Sequence, residues 1–187
     1  MSREVRSPHW CQTFRGRAFY FMDPEPADFD IEEIATALSR LMRFNGHSKW
    51  PYSVAQHSVL VSKLCKYPLA GLLHDAHEAY TGDMITSVKW LMEDLCPGFR
   101  ANWNYVTDTI DAGVIAAFNV GMEFRDNEDV KFADLKALST ERRDLMQIPP
   151  MPWIDLPEPA NEVIEEMTIG EARRAFLDRY SELQARS

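Results

Sequence analysis

The chain has 187 residues, of which 20 are Lys or Arg and 29 are Asp or Glu, giving a formal net charge of −9. Hydrophobic residues make up 45% and charged residues 26%, ordinary proportions for a globular protein, which excludes a disordered, collagen-like or low-complexity chain. A field of that sign repels polyphosphate backbones, so a coat on DNA or RNA is not expected, although one metal ion and one or two arginines can still reverse the potential inside a pocket.

Cys11, Cys65 and Cys96 are odd in number and widely spaced, as free thiols of a reducing compartment would be. The opening residues Met-Ser-Arg-Glu-Val-Arg have no apolar run behind them, and no window approaches the ~18 apolar residues of a membrane span. A cytoplasmic protein of one domain is expected, with no membrane or nucleic-acid polymer as partner.

The aromatic runs either side of Arg15-Gly16, ending at Phe14 and beginning near Phe19, suggest a small N-terminal hairpin, and Pro24 and Pro26 mark a loop after it. From there the pattern is helical. Asp30 is an N-cap for a helix with Ile31, Ile34, Ala35, Leu38, Leu41 and Met42 on one face, stopped by Asn45-Gly46. Ser53 and Gln56 form a capping box opening a helix to about Lys66 with Val54, Val61, Leu64 and Cys65 inward. Pro68 starts a helix that ends near Thr81-Gly82. Another runs from about Met84 to Leu95 with Ile85, Val88, Leu91 and Met92 inward, and a longer one from about Ala101 to Val120 is closed by Gly121. The run Asp126 to Asp129 favours the N-terminus of the next helix, which reaches about Met146. Residues 149–159 hold five of the 11 prolines and read as an irregular wrapping segment. Thr168 and Glu171 form a second capping box for a C-terminal helix with Ile169, Ala172, Phe176, Tyr180 and Leu183 inward. The expected fold is all-α, six or seven helices, with a core over about 30–147, the Pro-rich segment over 148–167 and a final helix over 168–185.

Four ionisable residues stand where this pattern calls for apolar ones. His57 lies on the stripe Val54, His57, Val61, Leu64; His74 and Asp75 sit beside Leu72-Leu73; Asp134 lies on the stripe Val130, Asp134, Ala137, Leu138. An unpaired carboxylate in a core costs several kcal/mol or takes up a proton. Two imidazoles and two carboxylates facing inward offset that cost by sharing one divalent ion, and imidazole with carboxylate suits Zn, Mn, Fe, Co or Ni. Glu78 shares a helix face with His74 and Asp75, His77 follows His74 by three residues, and Asp83 follows Thr81-Gly82.

The pattern His57…His74-Asp75…Asp134 resembles the metal-ligand signature of the HD-domain phosphohydrolases. The segments Ser53-Val-Ala-Gln-His-Ser58, His74-Asp-Ala-His-Glu-Ala-Tyr-Thr-Gly-Asp83, and Lys131 to Asp134 with Thr-Glu-Arg-Arg143 are similar to small members related to bacterial 5′-deoxynucleotidases, a group with phage and prophage members. The resemblance covers roughly residues 14–146. It implies an HD-type helical bundle in which His57, His74, Asp75 and Asp134 hold a divalent transition metal, with additional Mg a further option. It also implies that Glu78 handles a proton, Asp83 faces the sugar, Arg43 holds phosphate, Phe44 packs on sugar or base, and Lys89 lies after the Gly-Asp turn. Met84 to Ser87 depart from the prolines usual in that turn, which points to a broad base preference. Glu78 is followed by Ala79, not by a second acidic residue, which argues against hydrolysis of guanosine tetraphosphate. The implied function is metal-dependent hydrolysis of phosphate or triphosphate from 2′-deoxynucleotides by a homo-oligomer. A phosphodiesterase on cyclic or dinucleotides and a non-catalytic nucleotide-binding regulator are the alternatives. His47 reads as a surface residue near the mouth. Arg142 and Arg143 read as partners of nearby carboxylates, and Trp50, Trp90 and Trp103 as core or interface aromatics.

Overall fold

A computed structural model describes residues 7–121, 124 and 127–186. Asp126, expected at the start of a helix, lies outside the described residues. A hairpin of β1 (Trp10–Gln12) and β2 (Ala18–Tyr20), paired antiparallel with Cys11 opposite Phe19, precedes α1 (Ile31–Arg40), α2 (Val54–Leu64), α3 (Pro68–Leu73), the single turn α4 (Glu78–Thr81), α5 (Thr86–Leu95), α6 (Phe99–Phe118), α7 (Glu128–Leu145) and α8 (Ile169–Gln184). The fold is all-α apart from that hairpin, as the sequence leads one to expect. Among the described residues, no helix is long and apolar enough to cross a membrane.

The capping residues act as read. Asp30 accepts from the backbone of Glu32 and Glu33, and Ser53 with Gln56 and Thr168 with Glu171 form reciprocal capping boxes. The hairpin is held by Glu33, whose buried carboxylate accepts from Thr13 Oγ1 and Arg15 N at 2.8 Å each. It thereby delivers Phe19 to the core, where the ring stacks on Tyr80 at 3.7 Å between centroids.

At the centre is α2, in which every residue from Val54 to Ser62 is buried. It packs against α1, α3, α7 and α8. Small residues allow that crowding. A Cβ on Gly71 of α3 would stand 2.9 Å from Cys65 Cβ and 3.2 Å from Val61 O. On α6, a Cβ on Gly113 would fall 2.4 Å from Phe29 Cε2. Gly113→Ala therefore has to displace a buried ring, and a loss of about 1–3 kcal/mol is expected. A lower urea midpoint at unchanged slope would report it; an unchanged midpoint would contradict this packing.

Several boundaries differ from the sequence reading. The first helix stops at Arg40, because Met42 pairs with Ser53 in a β-bridge and leaves the helical path. The long helix α6 ends at Asn119 in a left-handed conformation, ahead of Gly121. The helix expected over residues 68–81 is interrupted at 74–77. There the backbone bonds run from Ala76 N to Leu73 O and from Glu78 N to Asp75 O, a tightened three-residue spacing that often marks a functional site. The stripe expected to face inward on α5 does not: no residue of α5 is buried, and Leu91 is 54% exposed, because this helix packs chiefly on α6 at the margin of the bundle. Ile169, also expected inward, is 50% exposed on the first turn of α8. All three cysteines are free.

Candidate metal centre and cleft

His57 is fixed by α2, His74 and Asp75 by the tightened turn after α3, and Asp134 by α7. Their donor atoms converge. His57 Nε2 is 3.3 Å from His74 Nε2, 3.1 Å from Asp134 Oδ1 and 3.5 Å from Asp75 Oδ2. His74 Nε2 is 3.2 Å from Asp75 Oδ2 and 3.9 Å from Asp134 Oδ1.

The other imidazole nitrogens decide what these atoms can do. His74 Nδ1 is 2.9 Å from the carbonyl of Gly71, which can only accept, so Nδ1 carries the proton. His57 Nδ1 is 2.6 Å from Glu141 Oε1, and the fully buried Glu141 carboxylate makes the same demand. When each ring carries a single proton, both Nε2 lone pairs point at one small volume, the tautomer that a metal requires. Donors around a tetrahedral ion at its usual bond lengths stand roughly 3.3–3.6 Å apart, close to the spacings seen here. His57, His74 and Asp134 could thus hold a metal ion, each offering one donor atom within 4.8 Å of the others.

The electrostatics fit a site built for a cation. Burial and the nearby Arg43 oppose a charged His57, but Glu141 and Asp134 overcome them and push its pKa up to about 9. Burial likewise opposes charge on His74 and is outweighed by Asp75, so this imidazole is raised too. Burial acts against the Asp75 carboxylate, yet His74 and His57 hold it well below the usual range. Two acidic groups sit next to these with the opposite tendency. Burial, then the charges of Asp75 and Asp83, push Glu78 well above an ordinary glutamic acid. Burial also raises Asp83.

The carboxylates Asp75 and Asp134, with Glu78 and Asp83, open onto a cleft of about 670 Å³, within the range of small-molecule sites, and the buried His57 and His74 stand behind them. Arg43, Phe44, Asp75, Glu78, Asp83, Lys89 and Asp134 all line it, as do Met84 to Ser87. Arg43 donates through Nε at 3.3 Å and Nη2 at 3.0 Å to Glu141 Oε2, while its Nη1 stands 3.9 Å from Asp75 Oδ2. One buried carboxylate therefore orients both a metal-facing imidazole and the cleft's arginine. Glu141 had no role in the sequence reading; the available signal was its position seven residues after Asp134, two turns along the same face of α7.

Other residues fall elsewhere. His77 turns away from the cluster, with Nδ1 3.2 Å from Asp111 Oδ1 on α6. His47 is exposed but does line the cleft mouth, and Trp90, 50% exposed, is a cleft wall and not a core residue. Arg143 pairs with Asp144 at 2.7 Å and donates to the carbonyls of Ala160 and Glu162 at 2.6 Å each, pinning the segment after α7. That segment brings Trp153, Pro152 and Ile154 to the cleft, none of which the sequence pattern signalled.

No family model matches the chain. It is similar to "Uncharacterized protein YfdR" of Escherichia coli (strain K12), 35% identical over 179 residues, which covers 93% of this chain and 95% of that protein. It is also similar to "Uncharacterized protein RCAP_rcc00048" of Rhodobacter capsulatus, 43% identical over 91 residues, 43% of this chain and 46% of that protein. With a match that runs along nearly the whole of both sequences, the chain belongs to the family of YfdR.

Proposed function

We propose that the protein is an HD-type, metal-dependent phosphohydrolase that removes phosphate or triphosphate from 2′-deoxynucleotides. The observation that carries the reading is that the Nε2 atoms of His57 and His74 stand 3.3 Å apart and each lies 3.1–3.9 Å from a carboxylate oxygen of Asp75 and of Asp134, the two carboxylates lining a cleft that also presents Arg43. In this reading Asp75 is the fourth ligand beside His57, His74 and Asp134. The mixed imidazole and carboxylate donors suit Zn, Co, Mn, Fe or Ni, with Mg a further candidate. Such an ion, when bound, supplies Lewis acidity and lowers the pKa of water.

The chain's own residues supply the rest. Arg43, held in place by Glu141, offers Nη1 to a phosphoryl oxygen and neutralises charge that grows there in the transition state. Lys89 adds a second positive charge at the cleft wall. Glu78, raised toward neutrality by burial beside Asp75 and Asp83, is suited to taking up and passing on a proton at its carboxyl oxygen. Asp83 faces the sugar and disfavours a 2′-hydroxyl.

A screen of phosphate, pyrophosphate and triphosphate release from ribo- and deoxynucleoside mono- and triphosphates, with Mn or Co added, tests the proposal. Deoxynucleotides should be turned over at least about tenfold better than ribonucleotides, a difference of about 1.4 kcal/mol. Absence of release from every deoxynucleotide would overturn it.

The metal centre also sets a pH dependence. In the metal-free protein His57 has a pKa of about 9, so at pH 7.5 its ring holds a proton that metal uptake must displace. Affinity should therefore rise with pH by at least about tenfold per unit through the neutral range, His74, also raised, adding to the slope where it too gives up a proton. Calorimetric titration with Co at pH 7.0, 8.0 and 9.5 reads this directly. An affinity that is flat across the series would contradict it.

A further inference from the structure

Phe44 has φ 55° and Asn45 has φ 51°, two consecutive non-glycine residues in the left-handed region. Such a pair costs on the order of 1–3 kcal/mol per residue and persists where the surroundings require it. The strained turn places the Phe44 ring beside Arg43, with the guanidinium carbon 5.4 Å from the ring centroid. The ring thus borders the groove immediately outside the phosphate-facing arginine.

A second ring meets it from an unrelated part of the chain. Trp153 lies on the segment between α7 and α8, stiffened by Pro149, Pro150 and Pro152 before it and by Pro157 and Pro159 after it. The far end of this segment is tied to α7. Ala160 N donates to Thr140 Oγ1 at 2.9 Å, Ile164 N donates to Asp144 Oδ2 at 3.0 Å, and Arg143 holds two of its carbonyls. The result is a strap across the cleft that sets Trp153 6.2 Å from Phe44 between ring centroids, with the planes tilted by 41°. Two rings facing across an aromatic sandwich stand about 7 Å apart, twice a van der Waals stacking distance, so a small opening of this pair admits one flat ring.

We propose that Trp153 and Phe44 form a slot for the base of a nucleotide whose phosphate lies on Arg43, with Trp153 the residue that selects for a base. The inference rests on the nucleotide phosphohydrolase reading and adds to it the element that recognises the ring. Stacking tolerates any base, so the slot favours nucleotides over simple sugar phosphates more than it favours one base over another.

The test compares wild type with Trp153→Ala and Trp153→Phe, all loaded with Co. Calorimetric binding of dAMP and dCMP is set against 2-deoxyribose 5-phosphate, which keeps the sugar and phosphate and lacks the base. Wild type should bind the nucleotides about ten- to a hundredfold more tightly than the sugar phosphate. Trp153→Ala should lose most of that advantage while its affinity for deoxyribose 5-phosphate changes less than about twofold, and Trp153→Phe should recover the larger part. Equal losses for both ligand types, no loss at all, or a wild type that prefers neither ligand would overturn the slot. Turnover of the same three compounds is read separately. If neither these compounds nor the deoxynucleoside triphosphates are hydrolysed, the phosphohydrolase reading fails, while the binding comparison still decides the role of Trp153.

Discussion

Asp75→Ala is expected to lower turnover of a deoxynucleotide by roughly a thousandfold or more. The carboxylate lies 3.2 Å from His74 Nε2, 3.5 Å from His57 Nε2 and 3.9 Å from Arg43 Nη1, so its loss removes the proposed fourth ligand and the negative neighbour of both imidazoles and the arginine at once. Its removal from the tightened turn at 74–77 leaves the backbone intact, because Ala76 continues the same bonding pattern. The variant should therefore fold normally by circular dichroism and fail to bind Co with the wild-type affinity. A variant that keeps both metal and activity would remove Asp75 from the site.

Glu141→Ala is expected to be the most destabilising single change in the cleft, by about 3–5 kcal/mol. It would leave a buried His57 ring without its 2.6 Å partner and a largely buried Arg43 without the carboxylate that accepts from Nε and Nη2. That is a large share of a folding free energy that for domains of this kind is typically about 5–15 kcal/mol. Metal affinity should fall as well, by about 10–100-fold, as happens when the group that orients a ligating imidazole is lost. The sign of the pH effect follows from the same pair. Burial opposes charge on Glu141, but Arg43 and His57 hold its pKa below an ordinary glutamate, so its contribution is present above pH ~4.3 and lost as pH falls through the lowered folded-state value. His57, raised to about 9, contributes below pH ~6.5 and loses that contribution as pH rises through about 9. The metal-free protein should thus lose stability from both ends, and the variant should lack Glu141's share of the acid-side dependence while Asp75 and Asp134 keep theirs. Urea unfolding between pH 3 and pH 9 would show this, and equal curves for variant and parent would contradict it.

How far the sequence could be read depends on whether a feature is local. The caps at Asp30, Ser53 and Thr168 are satisfied within one turn, so residue type and spacing sufficed. His57 and Asp134 stood out because each broke an apolar stripe on its own helix. The interruption at 74–77 was invisible, since His74 and His77 at its ends keep right-handed helical angles and the bonding partner changes from four residues back to three. The exposed stripe of α5 misled for a different reason. Periodicity shows that one face is apolar, not that a second layer is there to cover it. Glu141 lay in the run Thr-Glu-Arg-Arg, and its partners His57 and Arg43 come within its reach only when α7 packs against α2. Trp153 depends entirely on tertiary ties, Arg143 to Ala160 and Glu162 among them, which no local pattern encodes.

In the proposed reading, one ion held by His57, His74, Asp75 and Asp134 makes this cleft a phosphohydrolase. The most direct measurement is phosphate release from a deoxynucleoside monophosphate or triphosphate by protein stripped with chelator and then titrated with Co. Release should be absent from the stripped protein, rise linearly to one equivalent of metal and stay flat beyond it, with Asp134→Ala silent throughout. Full activity in the stripped protein, or no release at any ratio of metal to protein, would contradict the account.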